Sequence, residues 1–540
     1  MGFVEMTQNW RLWLQEGSNV SVYGTVLFVM FTTSCILHVL SAIERRKKLP
    51  PGPWPWPFIG NLGVVLRKTG ARHKFLQALG AKYGGLMYLG LGQIPCLVVS
   101  SVAVVESMFK SHDATFSDRP QTYFRKVQYG DSAMRSLSSA GYGSYWRQVR
   151  RMCNTELFSP GTHASQEGVR REEIQNMLDV LVHECKRRKP IDLGDWLFGV
   201  STNNMTRMLI NKRYYGTGAE IPEKKEEFQG MVKSRTRAAG TFVISDFIPS
   251  LTFIAKLQGL PKRFRESHES AKAQMESVLD VEEHRKNAIA RASVDIKSEY
   301  SPDFVDVLLK APLDDGQPLA DSDIKFLLTD LMIAGTETTG ITVEWAMVEL
   351  MLRPELRKQA QEEIDAVVGA DPERFVQESD IQKLPFLVAI LKETFRVHPV
   401  APLNVMRSSY EPCEFAGYYL PAQTRLIVNQ YAIHRDPSVY ENPDKFEPRR
   451  FMENPEVNPL SGRDSYQLIP FGVGRRMCPA SNLAFTMALL MLANLLHTFD
   501  WSFPDGVTAD NFDVSEEFLG TVLRKKTPTI LMAKPRSHVQ

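Results

Sequence analysis

The longest uncharged stretch of the chain lies near its N-terminus, where residues 17–43 lack Asp, Glu, Lys and Arg and are mostly apolar. About 20 such residues span a bilayer as one helix. The basic run RRKK follows at residues 45–48, and basic clusters stay cytosolic. The pattern predicts a single transmembrane helix over residues 18–43, with residues 1–17 lumenal. A cleaved signal peptide is the alternative, but the preceding acidic residues argue against it.

A proline-rich segment, LPPGPWPWP, follows at residues 49–57. Because proline fixes φ and excludes helix, the segment predicts a stiff connector, and residues 44–60 are interpreted as a hinge. The alternative is a polyproline ligand for an SH3-like domain. Neither a repeat nor a composition break interrupts the chain after the hinge, so residues 61–540 are predicted to form one domain.

The body of the chain is predicted to be mainly α with a minor β part. Short apolar runs at Leu86–Leu91 and Cys96–Ser100 predict two strands. From about Tyr145 the periodicity becomes helical, and the clearest helical stretches are Glu172–Lys186, Arg263–Arg285, Asp321–Met351 and Leu356–Val368. The last long helix, about Asn482 to Leu496, is apolar on nearly every face and is therefore expected to be fully buried.

Charge and cysteine content exclude several classes of function. The chain has 64 basic and 62 acidic side chains, a net charge of +2, which gives no signal for nucleic-acid binding. Its six cysteines are irregularly spaced and include no C-x-x-C pair, which excludes a zinc ribbon and gives no disulfide framework. The sequence also lacks a Walker loop and a Rossmann glycine fingerprint.

The segment FGVGRRMCPA at residues 471–480 precedes the last helix. A cysteine at a helix N-terminus has its thiolate stabilised by the helix dipole and free N–H groups. The glycines allow backbone to approach a flat ligand, and a thiolate is a known axial ligand of haem iron. Taken alone, Cys478 is better explained as a buried free thiol beside a glycine turn.

This segment resembles the haem-binding loop of the cytochrome P450 superfamily, F-x-x-G-x-R-x-C-x-G/A, and the resemblance extends over nearly the whole chain. It implies a P450 fold and a haem b cofactor. By the same likeness, Cys478 is the axial metal ligand, and Phe471 and Arg476 contact the haem. Trp146 and Arg150 resemble the W-x-x-x-R of the family, so that they and Arg407 are expected to bind haem propionates.

Two further motifs support the resemblance. Glu393 and Arg396 are similar to the E-x-x-R pair of the family, which Arg450 is expected to complete as a structural triad. The AGTETT stretch at residues 334–339 resembles its oxygen-binding groove, which implies that Glu337 and Thr338 relay protons to dioxygen. The alternative for this stretch is a glycine packing notch with solvent-facing threonines.

The resemblance to the plant microsomal group implies a monooxygenase that uses O2 and electrons from NADPH. Because the chain carries no flavin or nicotinamide motif, NADPH-cytochrome reductase is expected as a separate partner at the endoplasmic reticulum membrane. The expected substrate is a small apolar, aromatic specialised metabolite. Fatty-acid or terpenoid hydroxylation, a haem-thiolate isomerase or dehydratase that does not use O2, and a non-catalytic membrane haem protein remain alternatives. The expected pocket-lining segments are Arg119–Ser139, Leu327–Thr338, Val400–Val405 and Phe518–Val522.

Overall fold

The computed structural model describes residues 29–30, 33, 48–66, 71–129, 135–216, 219, 225–279, 281, 284–286, 303–314, 316–369 and 374–536. The predicted anchor over residues 18–43 and the lumenal segment before it lie outside this part of the chain, apart from Val29, Met30 and Thr33. Among the described residues one helix, Ser481–Thr498, is long and apolar enough to cross a membrane. It is a largely buried core helix.

Helices dominate the described residues. They are α1 (Leu62–Leu66), α2 (Arg72–Tyr83), α3 (Val102–His112), α4 (Tyr123–Tyr129), α5 (Ser144–Met152), α6 (Pro160–Ser165), α7 (Glu167–Lys186), α8 (Leu193–Ile210), α9 (Lys225–Ala239), α10 (Thr252–Leu257), α11 (Leu260–Val278), α12 (Phe304–Lys310), α13 (Asp321–Leu352), α14 (Pro354–Val368), α15 (Pro385–Val397), α16 (Gln430–Ile433), α17 (Arg449–Glu453) and α18 (Ser481–Thr498).

The strands form small sheets. They are β1 (Leu86–Leu91), β2 (Ile94–Val99), β3 (Ile191–Asp192), β4 (Arg407–Ser408), β5 (Cys413–Phe415), β6 (Tyr418–Leu420), β7 (Arg425–Val428), β8 (Phe499–Ser502), β9 (Glu516–Leu519), β10 (Val522–Lys525) and β11 (Ile530–Pro535). One sheet has the order β1-β2-β7-β4, in which β2 and β7 are parallel. A second sheet has the order β3-β11-β8, β9 pairs with β10, and β5 pairs with β6 as a separate hairpin.

The core is built around α13, which packs along α8 and against α15 and α18. Gly340 allows the close approach to α8, because a Cβ there would lie 3.2 Å from the backbone carbonyl carbon of Leu197. The last helix, α18, is apolar and buried as predicted. Its burial places the chain segment that precedes it, including Cys478, at the edge of the helical core.

The proline-rich segment is attached to β1. The Asn61 side chain donates to the carbonyl of Trp54 at 3.2 Å and accepts from the backbone N–H of Gly90 at 2.8 Å. Gly60 forms an isolated bridge with Leu91. The end of the hinge is therefore held by backbone contacts with the body of the protein.

The mainly α class with a minor β part is confirmed, and the predicted long helices are present. Their ends differ by a few residues: β2 begins at Ile94 rather than Cys96, and α7 begins at Glu167 rather than Glu172. The prediction that helices begin near Tyr145 is wrong, because α1, α2, α3 and α4 precede it. Of these early helices, α1 and α4 are short and α2 is weakly amphipathic, so their periodicity gives little signal.

A buried carboxylate joins α7 to α8 and to the segment after it. Glu173, with a side chain 1% exposed, accepts from Arg207 at 2.7 Å, from Arg213 at 2.7 Å and from Asn203 at 2.8 Å. Removing one member of a buried ion network leaves uncompensated charge, which costs about 3–5 kcal/mol. We expect Glu173→Ala to lower the free energy of unfolding by about this amount, measured by urea denaturation and circular dichroism.

Glu172 provides the matched control for that prediction. It also pairs with Arg207 at 2.7 Å, but its side chain is 56% exposed. Exposed ion pairs contribute about 0–1 kcal/mol, so Glu172→Ala should change stability little. Equal destabilisation by the two substitutions would contradict the role assigned to Glu173.

Candidate active site

Cys478 lies between a 3₁₀ turn, Gly474–Arg476, and the N-terminus of α18. Its backbone N–H donates to the Phe471 carbonyl at 2.8 Å, which closes the loop on itself. Gly472 has a φ of 77°, a left-handed conformation that favours glycine. The Phe471 ring packs edge-on against Phe395, with 5.3 Å between centroids. The half-buried, free thiol of Cys478 is thus carried by a closed and packed loop.

Opposing effects act on this thiol. Burial raises the pKa of Cys478, whereas the backbone N–H of Ala480 and the positive charge of Arg150 lower it. Arg150 lies on α5. Burial lowers its own pKa, and the nearby Cys478 and Cys153 raise it. An N–H donor and a cation both favour anionic sulfur, which is the form that ligates a metal.

Three buried arginines, Arg119, Arg407 and Arg476, lie close to one another near this loop. Arg119 and Arg476 donate to backbone carbonyls, including that of Ser138 for Arg119 at 3.0 Å. Arg407 donates to a carbonyl as well, but its Nη1 is buried without a hydrogen-bond partner among the described residues. The carboxylate nearest to Arg407 there is Asp113, at 3.8 Å.

The arginine cluster is short of negative charge. Burial, and then repulsion from Arg407, lowers the pKa of Arg476 to about 9. Burial lowers the pKa of Arg407 to about 10, and Asp113 opposes this shift. Burial, and then repulsion from Arg476 and Arg407, lowers the pKa of Arg119. Buried cations without matching anions are costly, so the cluster suits an anionic ligand.

The Trp146 indole contributes to the cluster through its ring rather than its N–H group. Its Nε1 donates to the Leu137 carbonyl at 3.0 Å. The guanidinium carbon of Arg476 lies 4.0 Å from the ring centroid, within cation–π distance. Trp146 therefore orients Arg476. Direct contact of Trp146 or of Arg150 with a haem propionate stays a prediction.

Glu393 and Arg396 form a fully buried ion pair on α15. Two hydrogen bonds of 2.7 Å join the side chains. Arg450 donates to the same carboxylate at 3.1 Å, and the backbone N–H of Glu447 donates to it at 2.7 Å. Arg396 also donates to the carbonyls of three residues in the segment that follows α16 and precedes α17. The expected triad is present, and it fastens that segment to α15.

The AGTETT stretch lies in mid-helix on α13. The Thr338 hydroxyl donates to the Ala334 carbonyl at 3.0 Å, the i to i−4 bond expected of a mid-helix threonine. Glu337 is buried, and burial raises its pKa, opposed by the charges of Arg524 and Lys233. A Cβ at Gly335 would lie 2.5 Å from the Met205 side chain of α8. The glycine thus serves helix packing, while Glu337 and Thr338 form an adjacent acid–alcohol pair.

Comparison with known proteins decides the family. A family model described as Cytochrome P450 matches residues 50–532. The chain belongs to the cytochrome P450 family. It is 35% identical to the flavonoid 3'-monooxygenase of Petunia hybrida, covering 96% of this chain and 99% of that protein. It is 37% identical to cytochrome P450 71A9 of Glycine max, covering 94% and 99%, and 35% identical to the trimethyltridecatetraene synthase of Zea mays, covering 95% and 94%.

The predicted resemblance is therefore confirmed, and the protein is a P450 monooxygenase, an oxidoreductase. The cofactor of the P450 family is haem, bound through a cysteine thiolate. The described residues fit this group. Cys478 is a free cysteine with N–H and arginine neighbours. The nearby buried arginines suit the anionic propionates that a haem carries, including Arg407, whose Nη1 has no hydrogen-bond partner among the described residues.

Two residues near the Cys478 loop, Arg119 and Asp113, are absent from the site residues that the sequence predicts. Arg119 belongs to the buried arginine cluster, and the sequence places it only within a broad pocket-lining range. Asp113 contacts the cysteine loop, because its carboxylate accepts from the backbone N–H of Arg475. The two residues of that contact are 362 positions apart in the chain. No local spacing or periodicity marks such contacts.

Proposed function

We propose that the Cys478 thiolate would hold the haem iron and that this P450 oxidises a small apolar, aromatic specialised metabolite at a membrane. The observation that carries the assignment is the position of Cys478: a free thiol at the N-terminus of a buried helix, beside three buried arginines that have fewer carboxylates near them than positive charges. A lone structural cysteine would not require those arginines.

Each residue near the loop has a proposed part in holding the cofactor. Cys478 would ligate the iron, and Phe471 closes the loop that carries it. Arg407, Arg476 and Arg119 would neutralise the propionates. Trp146 orients Arg476, and Arg150 adds positive charge near the sulfur. When bound, a haem with a thiolate ligand supplies the activation of dioxygen, so that one oxygen atom enters the substrate and the other leaves as water.

Glu337 and Thr338 are proposed to supply the protons that this reaction consumes. Because burial raises the pKa of Glu337, its carboxyl group keeps a proton at a higher pH than an exposed glutamic acid does. The adjacent Thr338 hydroxyl is only partly buried and is hydrogen bonded to Ala334. It can accept a proton from one side and donate from the other, as a relay requires.

Replacing the relay alcohol tests this part of the proposal. Positioned proton transfer contributes about 10²–10⁴-fold to a rate. We expect Thr338→Ala to lower product formation by about 10²-fold while NADPH consumption falls much less, so that the ratio of product to NADPH drops. Thr338→Ser keeps a hydroxyl and should retain most of the product yield. An unchanged ratio of product to NADPH in Thr338→Ala would contradict the relay.

Similarity to flavonoid hydroxylases supports an aromatic substrate. The Petunia relative is a flavonoid 3'-monooxygenase and another, from Eustoma exaltatum subsp. russellianum, is a flavonoid 3',5'-hydroxylase. The Zea mays relative is named for trimethyltridecatetraene instead, which keeps a terpenoid or fatty-acid substrate as the second candidate. All share about the same identity with this chain, 35–36%.

Exposed aromatic side chains support attachment to the endoplasmic reticulum membrane. In the hinge, Trp54, Trp56 and Phe58 are 61%, 67% and 78% exposed. On α10, Phe253 and Leu257 are also exposed. The segment before α10 contacts the turn between β1 and β2, because the backbone N–H of Gln93 donates to the carbonyl of Phe247. Tryptophan is enriched at membrane interfaces, and large apolar groups on an aqueous surface are unfavourable. These side chains are proposed to contact lipid, and residues 18–43 are proposed to form a single-pass anchor.

NADPH-cytochrome reductase is proposed as the electron donor. Three exposed arginines, Arg147, Arg151 and Arg475, are proposed to meet an acidic surface of the reductase. Arg151 pairs with Asp314 at 2.5 Å, and Arg475 pairs with Asp113 at 2.9 Å. Arg147 lies over the Tyr142 ring at 5.7 Å. Arg147 is therefore the best candidate for a contact with an acidic partner, because it pairs with no carboxylate among the described residues.

Reconstitution with a reductase tests the proposed function. The full chain, in microsomes, is incubated with NADPH, reductase and O2 in the presence of flavonoid-type aromatics, fatty acids or terpenoids. We expect an oxygenated product from the aromatic set that requires NADPH and reductase. Turnover without NADPH or reductase would identify an isomerase or dehydratase instead. Oxygenation of only a terpenoid or fatty acid would overturn the substrate class and leave the reaction type in place.

A further inference from the structure

The carboxylate of Asp113 binds the loop that carries Cys478. It immediately follows α3, and its two carboxylate oxygens each accept from the backbone N–H of Arg475 at 3.1 Å. The guanidinium group of Arg475 donates to the same carboxylate at 2.9 Å. A few residues later in the chain, the Ser117 carbonyl accepts from Arg476 at 2.7 Å. Two consecutive loop residues are therefore bound by the turn that follows α3.

The fit between Asp113 and the loop leaves no space for a larger residue at Gly474. A Cβ at that position would lie 2.1 Å from Oδ1 of Asp113, and Gly474 has a φ of 62°. The backbone N–H of Gly474 donates to the Gly462 carbonyl at 3.1 Å, and its carbonyl accepts from Met477 at 3.0 Å. The loop is thus pinned at Gly474 and Arg475, only three residues before the sulfur.

Asp113 is also the carboxylate of the described residues that lies nearest to the buried Arg407, at 3.8 Å. Its side chain is only 13% exposed. A buried negative charge interacts strongly with neighbouring charged groups because water screens it poorly. Asp113 therefore contributes a negative charge to a region that is otherwise rich in buried cations.

We infer that Asp113 is a positioning residue for the thiolate ligand. Its carboxylate fixes the backbone of the Cys478 loop and supplies local negative charge that opposes reduction of the haem. The inference rests on the proposed function, since it takes Cys478 as the ligand. Two substitutions separate the effects: Asp113→Asn removes the charge and keeps one acceptor oxygen, whereas Asp113→Ala removes both.

The experiment uses the full-length protein with haem bound. For Asp113→Ala we expect several-fold faster conversion of the red-shifted carbon monoxide Soret band to the position of a haem without thiolate. For Asp113→Asn we expect a reduction potential more positive than that of the unaltered protein, with the red-shifted band retained. Asp314→Ala is the matched control, since Asp314 also pairs with an exposed arginine but does not contact the loop.

The outcomes distinguish a failure of the role of Asp113 from a failure of the assignment of Cys478. If the unaltered protein shows the red-shifted band and both Asp113 variants match Asp314→Ala in band lifetime and potential, the role of Asp113 is overturned. If Asp113→Ala fails to bind haem, the potential of Asp113→Asn decides, because that substitution is nearly isosteric. If the unaltered protein itself lacks the red-shifted band, the assignment of Cys478 fails rather than the role of Asp113.

Discussion

Arg396→Ala should abolish the folded, haem-binding protein. Arg396 and Glu393 are both 0% exposed, so removing the guanidinium leaves a buried carboxylate that Arg450 alone can neutralise. Breaking a buried ion pair costs about 3–5 kcal/mol. The backbone carbonyls that lose a donor add about 1–3 kcal/mol each. The sum is comparable to the whole stability of a domain, about 5–15 kcal/mol.

The measurement is the yield of protein that retains its helical circular dichroism and its haem absorption. Arg449→Ala is the matched control, because Arg449 neighbours Arg450 in α17 and is exposed. Surface substitutions of this kind usually change stability by less than about 0.5 kcal/mol. If Arg396→Ala gives the same yield and thermal midpoint as Arg449→Ala, the triad does not hold the core as we describe.

Cys478→Ser should remove the thiolate signature and monooxygenase activity together. A serine hydroxyl stays protonated near neutral pH and cannot supply the electron density that a thiolate gives to iron. We expect the red-shifted Soret band of the carbon monoxide complex to disappear and product formation to fall below detection. The measurement compares spectra and products of the variant and the unaltered protein at equal haem content.

Cys185→Ser is the control for that substitution. Cys185 is a free, partly exposed cysteine on α7, and burial raises its pKa to about 11, so that it stays a neutral thiol. This variant should keep both the band and the activity. A Cys478→Ser protein that still gave the red-shifted band would mean that another cysteine ligates the iron.

Local patterns in the sequence predict the parts of this fold that depend on near neighbours in the chain. Glu393 and Arg396 are one helical turn apart, so their pairing follows from helix geometry. The apolar character of α18 predicts its burial, and the glycines around Cys478 predict a tight loop. The back-bonding of Thr338 to Ala334 is likewise a local property of the helix.

Contacts between distant segments are not predictable in this way. Arg119 donates to the Val405 carbonyl at 2.7 Å across 286 residues, and neither residue carries a periodic signal. The fourth hydrogen bond to the Glu393 carboxylate comes from the backbone N–H of Glu447, which no argument from side-chain type can predict. Arg119 could not be assigned to the arginine cluster from the sequence, because only its burial distinguishes it from an ordinary surface arginine.

Residues 334–339 have one feature that is expected of a packing notch and another that favours a chemical role. Gly335 faces Met205 of α8, as a packing notch requires. Glu337 is nevertheless a buried acid without an ion pair among the described residues. A buried, unpaired carboxyl group is unfavourable for packing alone, which favours a chemical role for that residue.

The carbon monoxide difference spectrum of the reduced, full-length protein in microsomes tests the central claim most directly. Our account predicts a strongly red-shifted Soret band, because the thiolate of Cys478 donates electron density to the iron. A band at the position typical of histidine-ligated haem, or no haem band at all, would contradict the assignment of Cys478 as the axial ligand.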